Sequence, residues 1–162
     1  MAKPKGIYAE MKYEVEKAFI QDKNFYSMRL SYVWAINNNF SKLLYRASDH
    51  NEIVSIYHPL VRSIVSINDV ITFVKSFCVE KKIFPKIVNL AGPDFLSRKD
   101  LIKEFNKFRR VRYKLEKPSN AFYRLRPAKI LMTSIFLEDI LKRQRYNIID
   151  EIKSSLTIVK NG

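Results

Sequence analysis

Glycine is scarce: 162 residues hold three, Gly6, Gly92 and Gly162, standing far apart. No Gly-rich loop of the Walker or dinucleotide-binding kind can be assembled from them. Cysteine is scarcer still. Cys78 alone makes no internal disulfide, and with His50 and His58 it falls short of any common zinc-ligand spacing, so a reducing compartment and no structural metal are expected. Long apolar runs are missing too. The longest stretch without a charged residue, Leu30 to Ser41, is twelve residues with three Asn among them, too short and too polar to cross a bilayer. Met1-Ala2-Lys3-Pro4-Lys5 leads into no apolar leader segment, so the expectation is a cytoplasmic protein with no membrane partner. No internal repeat or low-complexity segment is visible.

What is present is enough apolar material, 47% of residues, to close one core, which argues for a single globular unit. Acidic residues are outnumbered, 16 against 30 Lys and Arg, for a formal net charge of +14. The imbalance is C-terminal: residues 1–81 hold 11 basic and 8 acidic side chains, residues 82–162 hold 19 and 8. Twelve of the cations fall between Arg98 and Lys129, beside only Asp100, Glu104 and Glu116. Such a field attracts nucleic acid, anionic lipid or a phosphorylated substrate, but a solvated lysine-rich surface carries the same charge, so charge alone does not choose.

Periodicity sorts the chain into alternating strands and helices. Ala9, Met11, Val15, Ala18 and Phe19 recur at helical spacing and predict a helix over Ile7 to Gln21. Phe25 to Ala35, aromatic, β-branched and nearly continuous in apolar content, predicts one strand buried on both faces. Asn37-Asn38-Asn39 ends it. Further helices are predicted over Phe40 to Ala47, Val70 to Cys78 with Asn68 or Asp69 as cap, Arg98 to Phe108 behind an N-cap at Ser97, and Ser134 to Arg143. Further strands are predicted over Ile53 to Tyr57, Lys86 to Pro93 and Val111 to Lys117, with Arg62 to Ile67 extended. Helices alternating with strands argue for an α/β fold with a parallel sheet.

Chemistry enters with Tyr8-Ala9-Glu10-Met11-Lys12. Residues four apart share a helix face, so the Tyr8 phenol and Lys12 ammonium can point at one site. A nearby cation favours phenolate and lowers a tyrosine pKa from about 10 towards neutrality, which suits a general acid or base. Spacing by itself means little. Nine Tyr and nineteen Lys predict roughly one such pair by chance, and three occur: Tyr8/Lys12, Tyr13/Lys17 and Tyr113/Lys117.

Context separates the first from the others. YAEMKYEVEKAF followed by NFYSMRLSYVW resembles the catalytic helix and following strand of extended short-chain dehydrogenases/reductases, with Tyr8 and Lys12 on the Tyr-x-x-x-Lys pair and Glu16 on the acidic position behind it. Arg29 to Val33, Asn39-Phe40, Arg62 to Val70, Asn89 to Pro93 and Leu96-Ser97-Arg98 are similar to successive later segments of that family. Arg126-Pro127 with Leu131 to Ser134 is similar to the Arg-Pro…Leu-Asp-Thr-Ser segment of its dTDP-4-dehydrorhamnose reductase branch. The likeness runs in order from residue 4 to about residue 141.

The resemblance implies the C-terminal part of a Rossmann-like doubly wound parallel sheet plus a small substrate-binding lobe. Residues 1–49 would end the dinucleotide-binding domain, 50–145 form mostly the substrate lobe, and 146–162 a C-terminal tail. It implies NAD(P)H-dependent reduction of a 4-keto sugar nucleotide. Tyr8 would protonate the carbonyl oxygen, Lys12 would hold the nicotinamide ribose, and Tyr32 would lie beside the cofactor. Asn39, Arg62 and Arg126 would meet the nucleotide-diphosphate sugar, because a guanidinium fork suits paired oxygens. Competing readings are a surface pair with Asp69 for Arg62 and a plain turn residue for Arg126.

Departures from the family carry equal information. Its Gly-rich turn, its ribose selector and the Ser or Thr beside the Tyr all precede the Tyr, and seven residues stand before Tyr8 here. Tyr32 also replaces a frequent Trp of the branch. The chain is therefore expected to be half an enzyme, inactive and without tight NAD(P)H binding until a second polypeptide supplies the dinucleotide-binding half or a homodimer partner completes it. The alternatives are a non-catalytic regulatory or interaction subunit and, third, a nucleic-acid binder on the 98–129 patch, which no aromatic stacking motif accompanies.

Overall fold

The computed structural model describes residues 4, 6–79, 84–141 and 144–153. Helix α1 (Ile7–Phe19) leads to strands β1 (Ser27–Leu30) and β2 (Tyr32–Trp34), helix α2 (Asn39–Asp49), and strands β3 (Ile53–Tyr57) and β4 (Val61–Ser66). Helix α3 (Ile67–Val79), strands β5 (Ile87–Leu90) and β6 (Asp94–Ser97), helix α4 (Arg98–Phe105) and strand β7 (Arg112–Glu116) follow. Helix α5 (Asn120–Leu125), strand β8 (Lys129–Ile130) and helix α6 (Leu137–Leu141) come last, and the chain is helical again over residues 148–153. The α/β class expected from the alternation is the one observed.

The expected strand Phe25 to Ala35 is two strands. β1 runs parallel to β5, with Ser27 beside Ile87. Ser31 N donates to Leu90 O at 3.0 Å, and past it Tyr32 pairs with Ile64 of β4 in a different sheet. One apolar run thus serves two sheets, and it is not buried on both faces as expected: of the two strands' residues only Trp34 is buried, and Leu30 is exposed. β4 is the hub of the second sheet. β6 lies antiparallel along it, Val61 to Ile64 facing Ser97 to Asp94, while β2 and β8 both run parallel to it. Since β6 and β8 both pair with Val61 and Arg62, they occupy opposite edges, and β8 and β2 follow each other end to end. β3 and β7 form a third, parallel pair.

Two apolar clusters hold these layers. One gathers Trp34, Phe40, Leu44, Val54, Ile56, Ile64, Leu101, Ile102 and Phe105, closed by Ile148 and Ile152. The other packs Val65, Phe73, Val88 and Leu90 against Leu137, Ile140 and Leu141 of α6. Helix starts follow capping chemistry. Ser97 and Asp100 form a reciprocal capping box, and Asn38 Oδ1 accepts from Ser41 N at 2.8 Å. At α3 the cap is Ser66, whose Oγ accepts from Asn68 N at 3.0 Å. Asp69, expected as a cap, is instead buried and accepts from Tyr146 N at 3.0 Å, tying the C-terminal segment to α3. α6 is shorter than the expected Ser134 to Arg143, and Arg143 lies outside the described residues, as do 154–162 of the C-terminal segment.

Candidate active site

Tyr8 sits in the first turn of α1. The helix is entered through Gly6 at φ 87°, a left-handed conformation that a side chain would strain. α1 is fixed to the sheet by one polar anchor. Glu16 is its buried residue; Ser27 Oγ donates to Glu16 Oε1 at 2.5 Å, Arg29 Nε to Oε1 at 2.9 Å and Arg29 Nη2 to Oε2 at 2.5 Å. The Arg29 guanidinium, and next the Ser27 hydroxyl, hold the Glu16 carboxyl below its ordinary pKa against the opposing effect of burial. The Tyr8 side chain is free to approach a ligand, being 76% exposed, and Lys12 Nζ lies 5.6 Å from its ring centroid.

A cavity of about 920 Å³ opens beside Tyr8. Four residues singled out in the sequence, Tyr8, Tyr32, Arg62 and Arg126, line it together. Burial raises the pKa of the Tyr32 phenol, with Arg98 pulling the other way. Lys12 stands behind Tyr8 rather than in the cavity wall, and Asn39 is exposed at the start of α2, outside the lining.

The cavity also contains side chains that the sequence reading left unassigned: Arg98, Lys129, Tyr57 and Phe122. They come from α4, β8, β3 and α5, distant in sequence, and no local spacing marks them. Arg98 stacks over Phe40 at 4.9 Å and Arg126 over Phe122 at 5.6 Å. Among the described residues Arg98, Arg126 and Lys129 have no acidic partner, so their charge is available to a ligand.

Arg62 differs. Its Nη1 donates to Val61 O at 2.7 Å and Ala128 O at 3.1 Å, and its Nη2 to Pro127 O at 2.9 Å. These carbonyls, not Asp69, are its partners. Burial, then the neighbouring Arg126 and Arg98 charges, push its pKa down. Arg62 thereby fixes the 127–128 backbone that presents Arg126 and Lys129. Ser63 Oγ continues the stitching, donating to Met132 O at 2.8 Å and accepting from Met132 N at 2.5 Å.

An aromatic wall beside clustered guanidiniums suits an anionic ligand with a flat ring. A dinucleotide cofactor is only partly accommodated. A phenol and an ammonium on one exposed helix face fit a nicotinamide ribose, but Gly92 is no phosphate cradle, because a Cβ there would meet Ile64 O at 1.9 Å. Among the described residues no group of three or more His, Cys, Asp or Glu is placed to hold a metal, and no helix is long and apolar enough to cross a membrane.

No family model matches the sequence, and no curated protein does either. Solved structures do match. UDP-glucuronic acid 4-epimerase from Bacillus cereus superposes with a TM-score of 0.73 at 17% identity, over 99% of this chain and 55% of that one. dTDP-4-dehydrorhamnose reductase from Bacillus anthracis, in complex with NADP, gives 0.74 at 15%, over 96% and 56%. Its counterpart from Clostridium acetobutylicum gives 0.73 at 16%, over 99% and 58%. The fold is therefore that of extended short-chain dehydrogenases/reductases, as the sequence resemblance implied, and the chain spans little more than half the length of these structures.

Proposed function

We propose that this chain is the C-terminal, substrate-binding half of an NAD(P)-dependent nucleotide-sugar reductase of the dTDP-4-dehydrorhamnose reductase type, completed by a polypeptide that supplies the dinucleotide-binding half. The observation that carries the reading is one cavity holding Tyr8 together with Arg62, Arg98, Arg126 and Lys129. A sugar nucleotide needs both an anion site for its diphosphate and a proton donor at the sugar, and the cavity offers both.

In this reading Arg126, Arg98 and Lys129 take the diphosphate oxygens, while Arg62 holds the backbone that presents them. Tyr57 and Phe122 supply the aromatic wall. Tyr8 donates its hydroxyl proton to the carbonyl oxygen of a 4-keto sugar as that oxygen becomes an alcohol. The Lys12 ammonium, 5.6 Å from the Tyr8 ring centroid, stabilises the negative charge left on the phenol oxygen. Bound nicotinamide would supply the hydride.

Two measurements test this. The isolated chain is expected to bind dTDP or UDP in a calorimetric titration, with Arg126→Ala weakening it by about tenfold or more, the effect of one lost charge-assisted contact of roughly 1.5–3 kcal/mol; absence of nucleotide binding refutes the reading. In the completed enzyme, Tyr8→Phe is expected to cost about 10²–10⁴-fold in turnover with nucleotide affinity kept. A second reading, a non-catalytic subunit that retains the sugar-nucleotide cavity, is favoured by the absence of a glycine turn among Gly6, Gly92 and Gly162. Under it the Tyr8→Phe variant keeps its full biological effect.

A further inference from the structure

The cavity is one-sided in its polar chemistry. Its lining holds four cations and three tyrosines, Tyr8, Tyr32 and Tyr57, yet among the described residues no Asp, Glu, Asn, Gln, Ser or Thr. Backbone acceptors beside Arg62 are engaged as well, since the carbonyls of Val61, Pro127 and Ala128 accept from its guanidinium. Cationic side chains only donate, so this wall suits a ligand rich in acceptor oxygens. A neutral sugar brings several hydroxyl donors, and a buried donor left without an acceptor costs free energy. The cations also fall into two groups. Arg62 stands on β4 between Leu96 of β6 and Ile130 of β8, so Arg98, just past β6, and Lys129, on β8, flank it from opposite edges. With neighbouring strands about 4.8 Å apart, the two flanks are separated by roughly 10 Å. Arg126 belongs to the β8 flank, held over the Phe122 ring at 5.6 Å. Arg126 and Lys129 match, one for one, the charges of a diphosphate esterified at both ends, which carries one on each phosphoryl group. Arg98 is the cation in excess. It stacks over Phe40 at 4.9 Å, and its charge acts on the Tyr32 phenol, which lines the cavity with Tyr8.

We propose that the sugar of this ligand carries a carboxylate, a hexuronic acid in place of a hexose, and that Arg98 is the residue that recognises it. This rests on the reading of the cavity as a sugar-nucleotide site, and it assigns Arg98 to the sugar rather than to the diphosphate. A uronate carboxylate is attached at C5, next to the C4 carbon whose oxygen takes the Tyr8 proton. One sugar ring can therefore meet Tyr8 at one carbon and Arg98 at the next. A carboxylate accepts two parallel N–H bonds from a guanidinium fork, and the Phe40 ring beneath Arg98 limits the orientations of that fork. Exchanging a hydroxymethyl group for a carboxylate also removes a hydroxyl donor and adds an acceptor oxygen, which is the direction this lining favours. A neutral hexose, by contrast, leaves Arg98 unmatched once the ligand covers it, and a site built for a polar group rejects the analogue that lacks it.

The test uses the 162-residue chain and three probes, UDP, UDP-glucose and UDP-glucuronic acid, the two sugars differing only in whether C6 is an alcohol or a carboxylate. Isothermal titration should show UDP-glucuronic acid bound about tenfold or more tightly than UDP-glucose, the effect of one charge-assisted pair. Arg98→Met should erase that preference, and Arg98→Lys, which keeps the charge but not the fork, should keep only part of it. The Ser97–Asp100 capping box does not use the Arg98 side chain, so circular dichroism of both variants should match the wild type. A preference for UDP-glucuronic acid that survives Arg98→Met overturns the proposal. Binding of UDP with equal affinity for the two sugars overturns it too and leaves the cavity reading standing, whereas binding of none of the three probes overturns both.

Discussion

Glu16 does for α1 what apolar side chains do for most helices: it is the side chain turned into the sheet. Its bonds to Arg29 and Ser27 join α1 to β1, so Glu16→Gln should lower stability by about 1.5–3 kcal/mol, the worth of a hydrogen bond to a charged group. The pH dependence has a definite sign. The Glu16 carboxyl is depressed in the folded state, first by Arg29, so its contribution is complete above the unfolded value of about 4.3 and is lost as pH falls through the lower folded value. Urea unfolding of wild type and Glu16→Gln should accordingly begin to converge as pH falls below about 4.3 and meet only below the depressed folded value, and a constant gap between the two would count against the pair. The cavity arginines separate in the same way. Arg62→Ala should lower the unfolding midpoint as well as nucleotide affinity, because three backbone carbonyls lose their donor. Arg126→Ala should lower affinity alone.

Elements with strong periodicity were legible in the sequence, and those defined by their partners were not. α1, α2, β3 and α4 stand near where spacing and caps put them. The break at Ser31 was hidden because it is made by Leu90 O and Ile64, residues no local pattern can see. β6, four residues that run from behind the Gly92-Pro93 turn to the Ser97 cap itself, was too short to register. α5 carried a readable signal, Ser119 capping Phe122 N at 3.2 Å, masked by the basic residues around it. Its loss cost the reading Phe122 and the true setting of Arg126. Gly92 was legible only as a turn, yet it is packed backbone to backbone. A Cβ there would lie 1.9 Å from Ile64 O and 3.2 Å from Val65 Cα, so Gly92→Ala must part β4 from its neighbour. The expected cost is about 1–3 kcal/mol or more, read in the unfolding midpoint, with dTDP affinity falling too because Ile64 lines the cavity.

The molecule's net charge of +14 gains a direction from the structure. Cations that the sequence showed only as a dense run between Arg98 and Lys129 divide between a solvated surface and the cavity, where Arg98, Arg126 and Lys129 converge with Arg62. Convergence inside a concave, partly apolar site focuses the field on whatever enters it. A nucleoside diphosphate should then bind by charge as well as by stacking, and the two parts respond differently to salt. Raising ionic strength from 0.1 M to 1 M shortens the Debye length from about 10 Å to about 3 Å, so dTDP affinity should fall steeply while the affinity of thymidine, which lacks the phosphates, should hardly move. NADPH carries phosphates too, yet the chain has no glycine turn to seat its diphosphate, and it should compete with dTDP only weakly and lose that competition as salt rises. Isothermal titration with dTDP, thymidine and NADPH at both salt levels reads all three expectations. Tight, salt-insensitive, stoichiometric NADPH binding by this chain alone would place a dinucleotide site within these residues and overturn the proposed reading of the chain as a substrate-binding half.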